Sequence, residues 1–145
     1  EGLSPDFIRA SATRVSIVGI DQWRAMDDVV RMLTEYGHKR ALYFAGPLGW
    51  RGAMTRLDAW VKLTRARSIS SVTVRCKTWE STEAYARMNH ILDSIGNQGG
   101  KLPTVVVTAN DNQAVGVARA CMSTVFAFHV TSVWSGSMTC RRWTT

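Results

Sequence analysis

Acidic residues run out early in this chain. All 11 Asp and Glu lie at or before Asp111, and in 121–145 only Arg141 and Arg142 carry charge. Cysteine is scarce: Cys76, Cys121 and Cys140 are widely spaced and odd in number. That excludes zinc-ligand spacing and a disulfide framework, and it points to a reducing, cytoplasmic setting. No apolar run approaches the roughly 20 residues that cross a bilayer, and 1–14 lacks the apolar core of a signal peptide, so no membrane partner is expected. No Walker loop, GxGxxG, HExxH, CxxC or GxSxG is present, so phosphate, dinucleotide, zinc, thiol and serine-hydrolase chemistry lose their commonest signatures. No catalytic residue, metal ligand or cofactor is assigned, and an enzyme is not expected.

What is there suits one soluble α/β domain. The 145 residues are 46% hydrophobic and 20% charged, enough for a real core. The net charge of +7 is scattered. Its densest group, Lys62, Arg65 and Arg67, ends an expected helix, where cations complement the dipole on a solvated face. The most informative stretch is 103–116, PTVVVTANDNQAVG. A short β-rich run enters a polar elbow, and a helical pattern follows. This reads as a buried parallel strand delivering polar side chains to its C-terminal edge, where open α/β sheets bind ligands.

Three more strand–helix units precede it. Strands are expected at 15–20, 41–45 and 71–76. The first helix uses Met26, Val29, Val30 and Leu33 and stops at Gly37, with His38 capping the last carbonyls. The second buries Ala53, Leu57, Trp60, Val61 and Thr64; the third starts at Ser81 as N-cap and uses Tyr85, Met88, Leu92 and Ile95. Strict alternation with short loops implies a Rossmann-like parallel sheet flanked by helices.

Five segments in order resemble the LacI/GalR (lactose-repressor/galactose-repressor) family of transcription regulators. They are Val18-Gly19-Ile20-Asp21, Met32-Leu33-Thr34-Glu35-Tyr36-Gly37-His38-Lys39-Arg40, Phe44-Ala45-Gly46-Pro47, Arg56-Leu57-Asp58-Ala59-Trp60, and Ala109-Asn110-Asp111-Asn112-Gln113-Ala114-Val115-Gly116. The resemblance covers about 15–120. It implies part of a periplasmic-binding-protein type I core: 1–38 as a remnant of the N-terminal lobe, 39–120 as the C-terminal lobe, and 121–145 as an atypical tail. It further implies a small, sugar-like effector bound between lobes, a homodimer, and DNA contact only through a helix-turn-helix headpiece that these residues do not resemble. The alternatives are a periplasmic-type solute-binding protein of the same fold, or an inactive truncated fragment.

The resemblance also assigns ligand-binding candidates. Asn110 offers an amide to ligand hydroxyls, against simple N-capping; Asp111 caps or orients. Arg56 forks onto paired hydroxyls or a carboxylate, against a surface ion pair. Trp79, and less directly Trp50, can stack on a sugar face, against plain packing. Asp21 follows the first strand in a structural or ligand role, although Trp23, Arg24 and Ala25 replace the family's smaller Gly-containing stretch.

After Ala120 the family pattern stops. Suitable synonymous codons for 121–145, read one nucleotide earlier, give VHEHGFRIPRDVSVVGFDDMPEVDD, which restores the Ile-Pro and Gly-Phe-Asp-Asp order that the family implies. First and second bases are mostly fixed by the protein sequence. A frameshift near 120–121 also accounts for the missing acids and the added Trp134 and Trp143. Such a tail was not selected to continue the sheet, although 130–133 is β-prone, and exposed sheet edges and apolar faces favour self-association.

Overall fold

The computed structural model describes residues 19–98, 101–122, 129–134 and 137–142. Helices are α1 (Gln22–Glu35), α2 (Arg51–Ala66), α3 (Ser81–Gln98) and α4 (Asp111–Met122). Strands are β1 (Arg40–Ala45), β2 (Ser70–Arg75), β3 (Val105–Thr108), β4 (His129–Trp134) and β5 (Ser137–Arg142). They form one sheet in the order β2-β1-β3-β4-β5. Every pairing from β2 to β4 is parallel.

β5 departs from the expected all-parallel sheet: it pairs antiparallel with β4, with Trp134 opposite Ser137. So short a link permits a hairpin but no crossover. The tail therefore continues the sheet beside β3. Of the strand expected at 15–20, residues 15–18 lie outside the described residues, and Gly19 and Ile20 have no regular structure.

β1 and β3 are buried on both faces, which is why their sequences read as continuous apolar runs. The period-2 geometry divides them cleanly. Ala41, Tyr43, Ala45, Val105, Val107 and Ala109 meet α1 and α2 in one cluster. Leu42, Phe44 and Val106 meet α3 and α4 in the other. Each fully buried valine or leucine contributes about 1.5–3 kcal/mol relative to exposure. α1 thus shares a core with β1, α2 and β3, on both sides of position 38.

α1 buries Met26, Val29, Val30 and Leu33 as its spacing requires. It ends in a Schellman motif: Gly37 N–H donates to Thr34 O and His38 N–H to Leu33 O. Gly37 has φ +75, the left-handed conformation that glycine adopts without a Cβ penalty. The His38 ring reaches across to Thr104 Oγ1 at 2.9 Å, and its backbone supplies the cap. α2 buries Ala53, Ala59, Trp60 and Thr64. Val61, expected inside, is 49% exposed, because it lies a further 100° around the helix from Trp60. In α3, Ala84, Met88 and Leu92 are buried, while Tyr85 lies outward beneath the Arg119 guanidinium. Ser81 is the first helical residue and not the cap; Glu80 O accepts the first bond, from Ala84 N–H.

Candidate functional site

β1 is flanked by β2 and β3. The chain leaves β1 toward α2 on one face and leaves β3 toward α4 on the other. Loops that diverge from adjacent strands open a crevice at their C-terminal ends. Gly46, Trp50, Ala109 and Asn110 stand on that rim, and the loop after β2 carries Trp79 to it.

Trp79 is the centre of the cluster. Its ring covers Gly46, where any Cβ would collide with it. The Arg56 guanidinium lies 5.9 Å from its centroid, and Trp50 meets it edge-on at 6.3 Å. Its carbonyl accepts from Asn110 Nδ2 at 3.3 Å. The structure therefore brings Arg56, Trp79, Trp50 and Asn110 together.

Arg56 reaches the rim from the second turn of α2. Its Nη1 donates to Gln22 Oε1 at 2.8 Å, which ties α2 to the first residue of α1. Its Nε is buried without a partner of good hydrogen-bond geometry, as are Tyr43 Oη and Trp60 Nε1 in the core beneath. Burial pushes the Tyr43 hydroxyl up to about 12, with the Arg56 charge and a hydrogen bond to Arg56 pulling the other way. A buried polar atom left unsatisfied costs about 1–3 kcal/mol.

Asn110 caps α4: its Oδ1 accepts from Gln113 N–H at 2.9 Å. The cap is thus Asn110 and not Asp111, which is exposed in the first turn of α4. Gln113 is fully buried, and its Oε1 accepts from Ala109 N–H at 3.1 Å. Its Nε2 points at Ala45 O, 3.5 Å away, so one amide links the ends of β1 and β3. Asp21 is the N-cap of α1, accepting from Arg24 N–H at 3.0 Å. It stands beside the Gln22 that holds Arg56. Trp50 precedes α2 as a residue with no side-chain cap bond and is 55% exposed.

The Trp79 loop is itself held by one carboxylate. Glu83 accepts from Lys77 N–H, Thr78 N–H and Thr78 Oγ1 and pairs with Arg87 at 2.8 Å. Burial alone would push its pKa up. The Lys77, Arg87 and Thr78 hydrogen bonds outweigh that and hold it at about 2.

Sequence reasoning missed Gln22, Tyr43, Gln113 and Glu83. Gln113 carried a usable signal, since Asn-x-x-Gln before an apolar run has capping-box spacing. Tyr43 did not: an aromatic in a buried strand reads as core. No group of His, Cys, Asp and Glu among the described residues could hold a metal. No helix among them is long and apolar enough to cross a membrane.

The lactose operon repressor of Escherichia coli is 30% identical over 91 residues, 63% of this chain. The dimeric Lac repressor with a C-terminal deletion superposes with TM-score 0.64 at 26% identity, over 72% of this chain and 36% of that one. The chain is similar to LacI-family regulators in sequence and fold. No protein-family model matches it. The Lac repressor bound to ONPG has the same fold, with TM-score 0.68, 24% identity and coverage of 77% of this chain and 34% of that one. The chain spans 24% of the length of the curated LacI relative.

Proposed function

We propose that this chain is the effector-binding region of a LacI-type transcription regulator, and that the rim formed by Arg56, Trp79, Asn110 and Trp50 takes a sugar-like ligand. One observation carries the reading. A buried arginine Nε with no partner of good hydrogen-bond geometry lies beside a tryptophan face at a sheet crevice. A polyhydroxylated ligand supplies what that wall lacks: hydroxyls for Arg56 and Asn110 and an apolar ring face for Trp79. Asp21 and Asp111 act beside the site as helix-end residues. The described residues form one wall of the cleft.

In the intact regulator, ligand acts by population shift. It favours one arrangement of two lobes, and a dimer passes that choice to DNA-reading headpieces outside residues 1–145. No covalent chemistry is involved, and the setting is cytoplasmic. Residues 121–145 are proposed to be read out of frame; the coding DNA decides this, since codons that cannot yield the alternative string remove the idea.

Thermal shift against lactose, ONPG and a monosaccharide panel tests the ligand reading. The expected result is stabilisation by at least one sugar that is lost in Arg56→Ala. A flat response across the panel, or an equal shift in Arg56→Ala, contradicts it.

A further inference from the structure

Arg31, Lys62, Arg67 and Arg87 each pair with a carboxylate, at 2.6–2.9 Å. Arg56 does not. Among the described residues no carboxylate comes within ion-pair reach of its guanidinium. Three groups touch that guanidinium, and all are uncharged: the Gln22 amide at Nη1, the Trp79 face, and the Tyr43 phenol, which burial keeps protonated. Nη1 is the one nitrogen with a well-formed hydrogen bond among the described residues. α2 supplies no offset of its own, since its first turn holds no acid and begins with Arg51. Acids do stand at the starts of α1, α3 and α4. Asp21 accepts from Arg24 N–H, Glu83 holds Lys77 and Thr78 and pairs with Arg87, and Glu80 and Asp111 are exposed. None of them pairs with Arg56. A half-buried cation is thus surrounded by neutral groups at the rim of the crevice. Such a charge has lost part of its hydration and gained no counter-charge in return.

We propose that the ligand of this rim is a sugar acid, a pyranose bearing one carboxylate, and that Arg56 selects it by charge. The inference rests on the ligand reading above and narrows it. A carboxylate supplies the counter-charge that Arg56 lacks, whereas a hydroxyl leaves the cation uncompensated. Gln22 holds Nη1 and so fixes the guanidinium before ligand arrives. Nη2 remains to donate to a carboxylate oxygen, in a charge-assisted bond about twice as strong as a neutral one. A single uncompensated cation matches a monoanion. A phosphate monoester carries about −1.5 to −2 at neutral pH and calls for more positive charge than one guanidinium provides. The Trp79 ring still takes the apolar face of the pyranose, and this is what separates a sugar acid from a bare carboxylate. A neutral sugar keeps that stacking and loses the ionic contact, so it binds more weakly by about tenfold.

Titration calorimetry of the full chain with matched ligands tests it: glucuronate against glucose and galacturonate against galactose, with acetate and glucose 6-phosphate alongside. At least one uronate is expected to bind about tenfold more tightly than its neutral partner and than acetate. That preference shrinks as sodium chloride rises from about 20 to 300 mM, while the affinity for the neutral sugar holds. It disappears in Arg56→Gln and survives in part in Arg56→Lys, which keeps the charge and loses the fork. The salt series is read on the wild type, so the test stands if both Arg56 variants misfold. Neutral sugars that bind as tightly as the uronates overturn the proposal and leave the ligand reading standing. Acetate or glucose 6-phosphate that matches the uronates overturns it as well, the first by showing a bare anion site and the second a phosphate site. A uronate preference that is indifferent to salt, or unchanged in folded Arg56→Gln, assigns the selection to another group and overturns it. Heat from none of these compounds removes the ligand reading and this proposal together.

Discussion

Asn110 shows how one side chain serves two neighbours. Its oxygen caps α4 and its amide hydrogen holds the Trp79 carbonyl. Asn110→Ala removes both and is expected to cost about 1 kcal/mol in denaturant unfolding. Asn110→Asp keeps the cap and loses the donor, so it should recover most of that stability while loosening Trp79, read as a red-shifted tryptophan emission. Equal losses in the two variants would show that the cap is not the main term. Tyr43→Phe removes a buried hydroxyl that meets the Arg56 guanidinium without good hydrogen-bond geometry. It is expected to leave stability unchanged or raise it by up to about 1 kcal/mol. A loss above about 1 kcal/mol by chemical denaturation would mean that the hydroxyl is bonded in solution.

Among elements, the Trp79 loop depends on a single carboxylate. Glu83 is held at about 2 against its ordinary 4.5. The folded state therefore binds its proton less readily than the unfolded chain does. The stabilisation is complete above about 4.5 and drains away as pH falls toward 2. It amounts to about 3 kcal/mol at most. Glu83→Gln should lower neutral-pH stability and flatten the acid limb between pH 5 and 2; an unchanged acid limb would contradict the clamp. The α3–α4 contact hinges on Gly116, where a Cβ would strike the Ser81 carbonyl. Gly116→Ala should cost about 1–3 kcal/mol by thermal unfolding, although alanine is the better helix former.

The α1, α2 and β1–β3 pattern was legible in the sequence because period 3.6 and continuous β-rich runs survive in any context. Val61 and Tyr85 were misplaced because neighbouring positions on an amphipathic helix differ by less than a turn, and only packing decides between them. The Asn110–Arg56–Trp79 grouping was visible only through family resemblance. Nothing local says that residues from α2, the β2–α3 loop and β3 share a rim. The Gln22–Arg56 bond joins residues 34 apart and left no trace in spacing.

On the scale of the whole molecule, the order β2-β1-β3 is what creates a crevice. β4 and β5 extend the sheet on the side away from β2. The rim of that crevice is built by the loops that follow three neighbouring strands. The most direct measurement is a nitrogen–proton NMR titration of the tryptophan indole and Arg56 Nε–H signals with the sugar that gives the largest thermal shift. The account predicts saturable shifts at Trp79, Trp50 and Arg56, with Trp60 still, and their disappearance in Arg56→Ala. Indole signals that stay fixed at millimolar ligand, or that move equally at Trp60 and Trp23, would contradict it.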